Sequence, residues 1–106
     1  MIGGDGADTL TGGKGNDTLW GGNGEDTFVY YAGTGNDVIM DYQSGDLLNI
    51  LNKNSRLEDF KKAAFNDDTL TLNIKGGGKI SFKNITESTI FNINGTNYRV
   101  SDNTIK

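Results

Sequence analysis

The chain contains no cysteine, no histidine and no proline. Without cysteine there can be no disulfide and no thiolate metal site. Without histidine the commonest general base and zinc ligand are missing, together with every Ser-His or Cys-His catalytic arrangement. Without proline, turns must be made by Gly, Asn, Asp and Ser. Apolar residues are also scarce, at 34% of 106 residues. A chain this short and this polar buries too little surface to fold easily on its own core. A metal held by oxygen atoms becomes the leading source of extra stability, which favours calcium or magnesium. No run approaches the length of a membrane span. The N-terminus lacks the basic, apolar, small-residue order of a cleavable signal peptide.

Charge is unevenly placed. Residues 1–41 carry seven acids and one base, a net of −6. Residues 42–106 carry seven acids and nine bases, a net of +2. The acidic end is unsuited to nucleic acid.

What is present is a nine-residue repeat. Gly3 to Thr11, Gly12 to Trp20 and Gly21 to Val29 share the order Gly-Gly-x-Gly-x-Asp-Thr-apolar-x. A fourth copy, Ala32 to Met40, follows the inserted Tyr30 and Tyr31 and has alanine in place of its first glycine. Ile2 fits the ninth position of a further repeat, and Met1 stands directly before the array, which is therefore expected to continue upstream. Glycine permits backbone angles closed to other residues and lets carbonyls approach a ligand. Aspartate at position six (Asp8, Asp17, Asp26, Asp37) supplies a hard anionic oxygen at a fixed place. Leu10, Leu19, Phe28 and Ile39 at position eight should point inward and stack. Each repeat thus reads as a turn followed by a short strand.

A flexible linker would not keep aspartate at position six and an apolar residue at position eight through four copies. Neither a Gly-x-Gly-x-x-Gly nor a Gly-x-x-x-x-Gly-Lys-Ser/Thr phosphate loop is present, and acidic loops would repel phosphate. EF-hand spacing is absent as well.

The nonapeptide resembles the repeats-in-toxin (RTX) calcium-binding repeat. That resemblance implies a right-handed parallel β-roll, two repeats per turn; with the β-rich C-terminal cap and its one short helix, read from the residues that follow, the expected fold is all-β. The resemblance implies Ca2+ between stacked turns, with Asp8 facing Asp26 and Asp17 facing Asp37, and so about two complete sites. By the same resemblance the carbonyls of Gly4, Gly6, Gly13, Gly15, Gly22 and Gly24 contribute ligands. Weaker binding is expected at the fourth loop because of Ala32. The division expected is residues 1–45 for the repeats and 46–106 for the capping flank.

Asn36 to Ile50 is similar to the way RTX arrays end, with an acid-aromatic pair, a Gly-Asp turn and an apolar strand. Asp41 and Asp46 are either turn and cap residues or ligands of a last calcium. Ser55 to Glu58 matches a capping box, and Leu57, Phe60 and Ala64 fall on one helical face, which predicts a short helix over 56–64. Lys61 and Lys62 read as its solvated face. Thr69 to Ile74 alternates and, across Gly76-Gly77-Gly78, pairs with Ile80 and Phe82 as a hairpin. Phe91 and Ile93 lead through Asn94-Gly95 to Tyr98 and Val100 as a second hairpin. These strands should cover the end of the roll.

The functional expectation is a calcium-dependent folding and type I secretion module at the C-terminus of a larger secreted, extracellular protein. Its partners would be calcium ions, the type I secretion machinery and an upstream domain, with no nucleic acid and no membrane span. Apposed carboxylates without a counter-charge would keep the chain unfolded until it meets calcium at about 10⁻⁴ to 10⁻³ M. The resemblance also implies an uncleaved export signal within Arg56 to Lys106. The alternative is a calcium-dependent polysaccharide or cell-surface binding module, with Trp20, Tyr30, Tyr31 and Tyr42 stacking on sugars; the simpler reading of these four residues is packing against the cap or an adjacent roll. Catalysis by paired carboxylates is not expected, since the acids are accounted for by calcium loops.

Overall fold

The computed structural model describes residues 2–33, 35–52, 54, 56–57, 59–101 and 104–105. Eleven strands are defined among them: β1 (Thr9–Thr11), β2 (Thr18–Leu19), β3 (Thr27–Tyr31), β4 (Asn36–Ile39), β5 (Leu47–Leu51), β6 (Phe60–Asn66), β7 (Thr69–Ile74), β8 (Lys79–Lys83), β9 (Ile90–Ile93), β10 (Thr96–Ser101) and β11 (Thr104–Ile105). They form a six-stranded sheet ordered β1-β3-β5-β9-β10-β11 and a five-stranded sheet ordered β2-β4-β8-β7-β6.

Alternate repeats go to alternate sheets. β1 pairs with β3 and β2 pairs with β4, both parallel and both repeat against repeat. The register places Leu10 beside Phe28, Leu48 and Ile93 in one row. Leu19, Ile39 and Phe82 form the facing row. All seven are buried, none more than 2% exposed. Each contributes about 1.5–3 kcal/mol by leaving water. One apolar side chain per nine residues therefore suffices for a continuous core, because each is stacked on the equivalent residue of another repeat.

The flank continues both stacks. β5 and β9 extend the first in parallel, and β8 extends the second. Antiparallel strands then close the structure, β7 and β6 following β8 in one sheet and β10 and β11 following β9 in the other. The Asn94-Gly95 turn has positive φ at both residues (53° and 87°), the geometry a two-residue hairpin needs. Tyr42 ties repeats to flank. Its ring lies 5.0 Å from both Phe82 and Phe91 and 6.2 Å from Phe28. Its hydroxyl donates to the Asp46 carbonyl at 2.6 Å and accepts from the Asn92 amide at 2.9 Å.

The expected helix over 56–64 is not found, and no helix occurs among the described residues. Phe60–Asn66 is instead strand β6, antiparallel to β7. Ser55 and Glu58, the ends of the capping-box match, lie outside the described residues. Leu57 is 64% exposed and Ala63, not Ala64, is buried. The reason is the Asp67-Asp68 turn, where both residues have positive φ (51° and 58°). It makes a tight hairpin that offers β6 a full ladder on an apolar sheet, and this outweighs a helical pattern of three residues. No helix is long and apolar enough to cross a membrane among the described residues.

Candidate metal centre

The position-six aspartates are brought together as two columns. The amide of Asp8 donates to Oδ1 of Asp26 at 2.9 Å, and the amide of Asp17 donates to Oδ1 of Asp37 at 3.1 Å. The first column continues, since the Asp26 amide donates to Oδ1 of Asp46 at 2.9 Å. The strands dictate this. In each case the residue after the upper aspartate donates its amide to the carbonyl of the lower one, at 2.8 Å for Thr27 to Asp8, Val38 to Asp17 and Leu47 to Asp26.

Asp26, Asp37 and Asp46 thus each spend Oδ1 on a backbone amide of the tier before. Oδ2 of Asp8, Asp17 and Asp26 is buried with no hydrogen-bond partner. Buried carboxylate oxygens without partners are costly, and stacked ones repel. A cation held at these oxygens removes both penalties. Among the described residues no three acidic or other metal-binding side chains converge on one point. Carboxylates alone would leave a cation's shell incomplete, and calcium is an ion that accepts backbone carbonyls beside carboxylates.

The glycines serve this arrangement in two ways. Gly4, Gly6, Gly13, Gly15, Gly22 and Gly24, at positions two and four, all have positive φ. A Cβ on Gly22 would strike the carbonyl of Gly4, one on Gly24 that of Gly6, and one on Gly35 that of Gly15. Loops two repeats apart therefore stack carbonyl against glycine. Gly3, Gly12 and Gly21, at position one, have ordinary φ but no space. A Cβ on Gly12 would lie 2.9 Å from Oδ2 of both Asp17 and Asp37. Gly33 does not stack on Gly13 but packs near the carbonyl of Gly76, so the second column is less regular, on the side where Tyr30-Tyr31 is inserted and Ala32 replaces glycine.

Asp41 and Asp46 differ from the repeat aspartates in that both carboxylate oxygens of each accept backbone amides. Asp41 accepts the amides of Gly21 and Gly22, each at 2.8 Å. Asp46 accepts from Asp26 through Oδ1 and from Gln43 at 3.0 Å through Oδ2. These carboxylates are occupied by the backbone and act as a cap on the first column. Residues 41–49 are thus a fifth tier in repeat register. Its signal in the sequence was Asp46 and Leu48, spaced like every Asp-x-apolar pair and lying 20 residues after Asp26 and Phe28, as Asp37 lies after Asp17.

Electrostatics follow burial. Burial pushes the Asp37 carboxyl up to about 6, opposed by the bond from the Asp17 amide and reinforced by the Asp17 charge. Burial raises Asp46 too, against the bonds from Asp26 and Gln43 and with the charges of Asp26 and Asp41 adding. Burial also carries Tyr42 up to about 12. Of the aromatic residues considered for sugar stacking, Tyr30 and Tyr42 are each only 3% exposed, Tyr31 is half-buried and Trp20 is 39% exposed. The Tyr30 hydroxyl is spent on the carbonyls of Gly35 and Gly77.

Among solved structures the extracellular lipase LipA from Serratia marcescens is similar, at 23% identity and a TM-score of 0.47 over 96% of this chain. This chain spans 18% of that protein's length. No curated protein sequence matches. The family model that matches is that of the RTX calcium-binding nonapeptide repeat, over residues 2–39. Residues 2–39 are thus four copies of the RTX nonapeptide repeat, and the ion that these repeats bind is Ca2+.

Proposed function

We propose that the chain is a calcium-dependent folding and type I secretion module, carried at the C-terminus of a larger secreted protein and active outside the cell. In this reading residues 1–45 wind as a right-handed parallel β-roll and 46–106 cap it and carry the export signal. The chain itself is not catalytic. One observation supports the reading above others: the buried, partnerless Oδ2 atoms of Asp8, Asp17 and Asp26 in stacked tiers. Calcium would be held by Asp8, Asp17, Asp26 and Asp37 with carbonyls of Gly4, Gly6, Gly13, Gly15, Gly22 and Gly24. The ion supplies the positive charge that makes the stacking of these loops favourable. Where calcium is scarce the same carboxylates repel, the folded state loses stability, and an extended chain suits a narrow export channel.

The export half of the proposal is tested by fusing the chain behind a passenger protein in cells that carry a type I exporter. The passenger should reach the medium with the whole chain and stay inside when residues 56–106 are removed. Equal export by both fusions would refute the assignment.

A further inference from the structure

The hairpin turn at 75–78 is a third loop of the β2-β4-β8 stack. β8 pairs with β4 so that Lys79 lies beside Asn36 and Ile80 beside Asp37. Counting back, Gly76 and Gly78 fall at positions two and four of a repeat. Gly78 has φ 84°, like Gly15 (89°) below it in the stack, and a Cβ on it would strike the carbonyl of Gly35 as one on Gly35 would strike that of Gly15. The position-four stacking of the cation loops is repeated here, although the positive φ of position two passes to position three, Gly77 (107°), and the chemistry is reversed. Ile80 stands in the column of Asp17 and Asp37, and Lys79 follows Asn36.

A second lysine is delivered to the same place. The register of β6 on β7 shifts between Phe60 and Lys62, which leaves Lys61 as an extra residue, and such bulges re-aim side chains. Lys61 and Lys79 line a cleft of about 260 Å³ together with Asn36, Asn73, Gly77 and Gly78. No acid lines it among the described residues. Asp59, an acid that precedes β6, lies 4.0 Å from Lys75.

A lining with two lysines, two asparagines and no acid among the described residues would disfavour calcium and favour a negatively charged oxygen group. We propose that this cleft is an oxyanion site, taking a carboxylate or sulfate group of the kind carried by acidic sugars.

The test is amide NMR of the whole, calcium-loaded chain titrated with methyl sulfate, with acetate, and with sodium chloride at matched ionic strength. Methyl sulfate or acetate should shift the amides of Gly77, Gly78 and Lys79 saturably, and chloride should not. The tighter of the two names the group as sulfate or carboxylate. The double variant Lys61→Gln/Lys79→Gln should bind about tenfold or more weakly, as expected for losing charge-assisted hydrogen bonds. Lys83→Gln, on the same strand as Lys79 but away from the cleft, should bind normally. Circular dichroism in calcium should be the same for all. If the double variant loses its fold, Lys61→Gln alone, at the exposed bulge, serves in its place. Equal shifts with chloride, or unchanged affinity in the variant, would overturn the site.

Discussion

The Asp8 amide donates to Oδ1 of Asp26 at 2.9 Å, while Oδ2 of each residue is buried without a partner. The two carboxylates lie 18 residues apart in sequence and belong to successive tiers of one column. Asp17 and Asp37 form the corresponding pair of the other column. Single and paired alanine variants should report this arrangement. Asp26→Ala should raise the calcium midpoint for folding about tenfold or more, since a charged ligand is lost. Adding Asp8→Ala should do little more, and adding Asp17→Ala should be far worse, because it damages the second column. Strong coupling between Asp8 and Asp17 instead would contradict the pairing. Bound calcium should be counted alongside the midpoints.

Gly12→Ala isolates the need for space. Its φ is ordinary, so backbone strain does not enter, yet its new methyl group would press on Oδ2 of Asp17 and Asp37. The variant should bind about one ion fewer than the parent or need clearly more calcium to fold. Normal ion binding by Gly12→Ala would show that the second column does not close around these oxygens.

Asp41 and Asp46 should behave differently from the repeat aspartates. Their oxygens hold backbone amides. Asp41→Asn keeps the shape but turns one acceptor into a donor facing a glycine amide. It should cost about 1–3 kcal/mol in calcium-saturated urea unfolding and leave the ion count unchanged. A lost ion would place Asp41 among the ligands. Tyr42→Phe removes a buried hydroxyl that makes two hydrogen bonds and should cost about 1–3 kcal/mol by the same measurement.

The repeats were legible in the sequence because each position carries one chemical demand, and glycine, aspartate and leucine answer it visibly. The tiers beyond them were harder to see. Asp46 and Leu48 keep the repeat spacing, but Asp41, Tyr42 and Ser44 replace the glycines that announce it. The 75–80 turn keeps two glycines and loses the aspartate. β6 was misread because Leu57, Phe60 and Ala64 satisfy a helical period by chance of spacing. The deciding feature, a hairpin turn made by Asp67 and Asp68 rather than by Asn-Gly, has a weak sequence signature. Which oxygens would be left without partners was not readable at all, since that depends on a register set 18 to 20 residues away.

Protons should compete with calcium. The Asp37 carboxyl is raised to about 6 from an ordinary value of 3.8, mainly by burial. The folded form then holds this proton more tightly than the unfolded chain does. The corresponding stability is present at low pH and is lost as pH rises through about 6, with Asp46 acting in the same direction. In chelator, acidification from about pH 7.5 to about pH 5 should increase ordered structure. Over the same range the calcium midpoint should rise. A midpoint independent of pH would mean that Asp37 gives up no proton when the ion binds.

The central claim is that the carboxylate columns cannot be stacked stably without calcium. Far-ultraviolet circular dichroism of the whole chain tests it most directly, first in chelator, then with added calcium, then with magnesium at equal concentration. The expected result is a largely disordered spectrum in chelator at neutral pH, a cooperative change to β-structure at about 10⁻⁴ to 10⁻³ M calcium, and little response to magnesium, which demands a smaller and more regular shell. The same β-spectrum in chelator and in calcium would contradict the account.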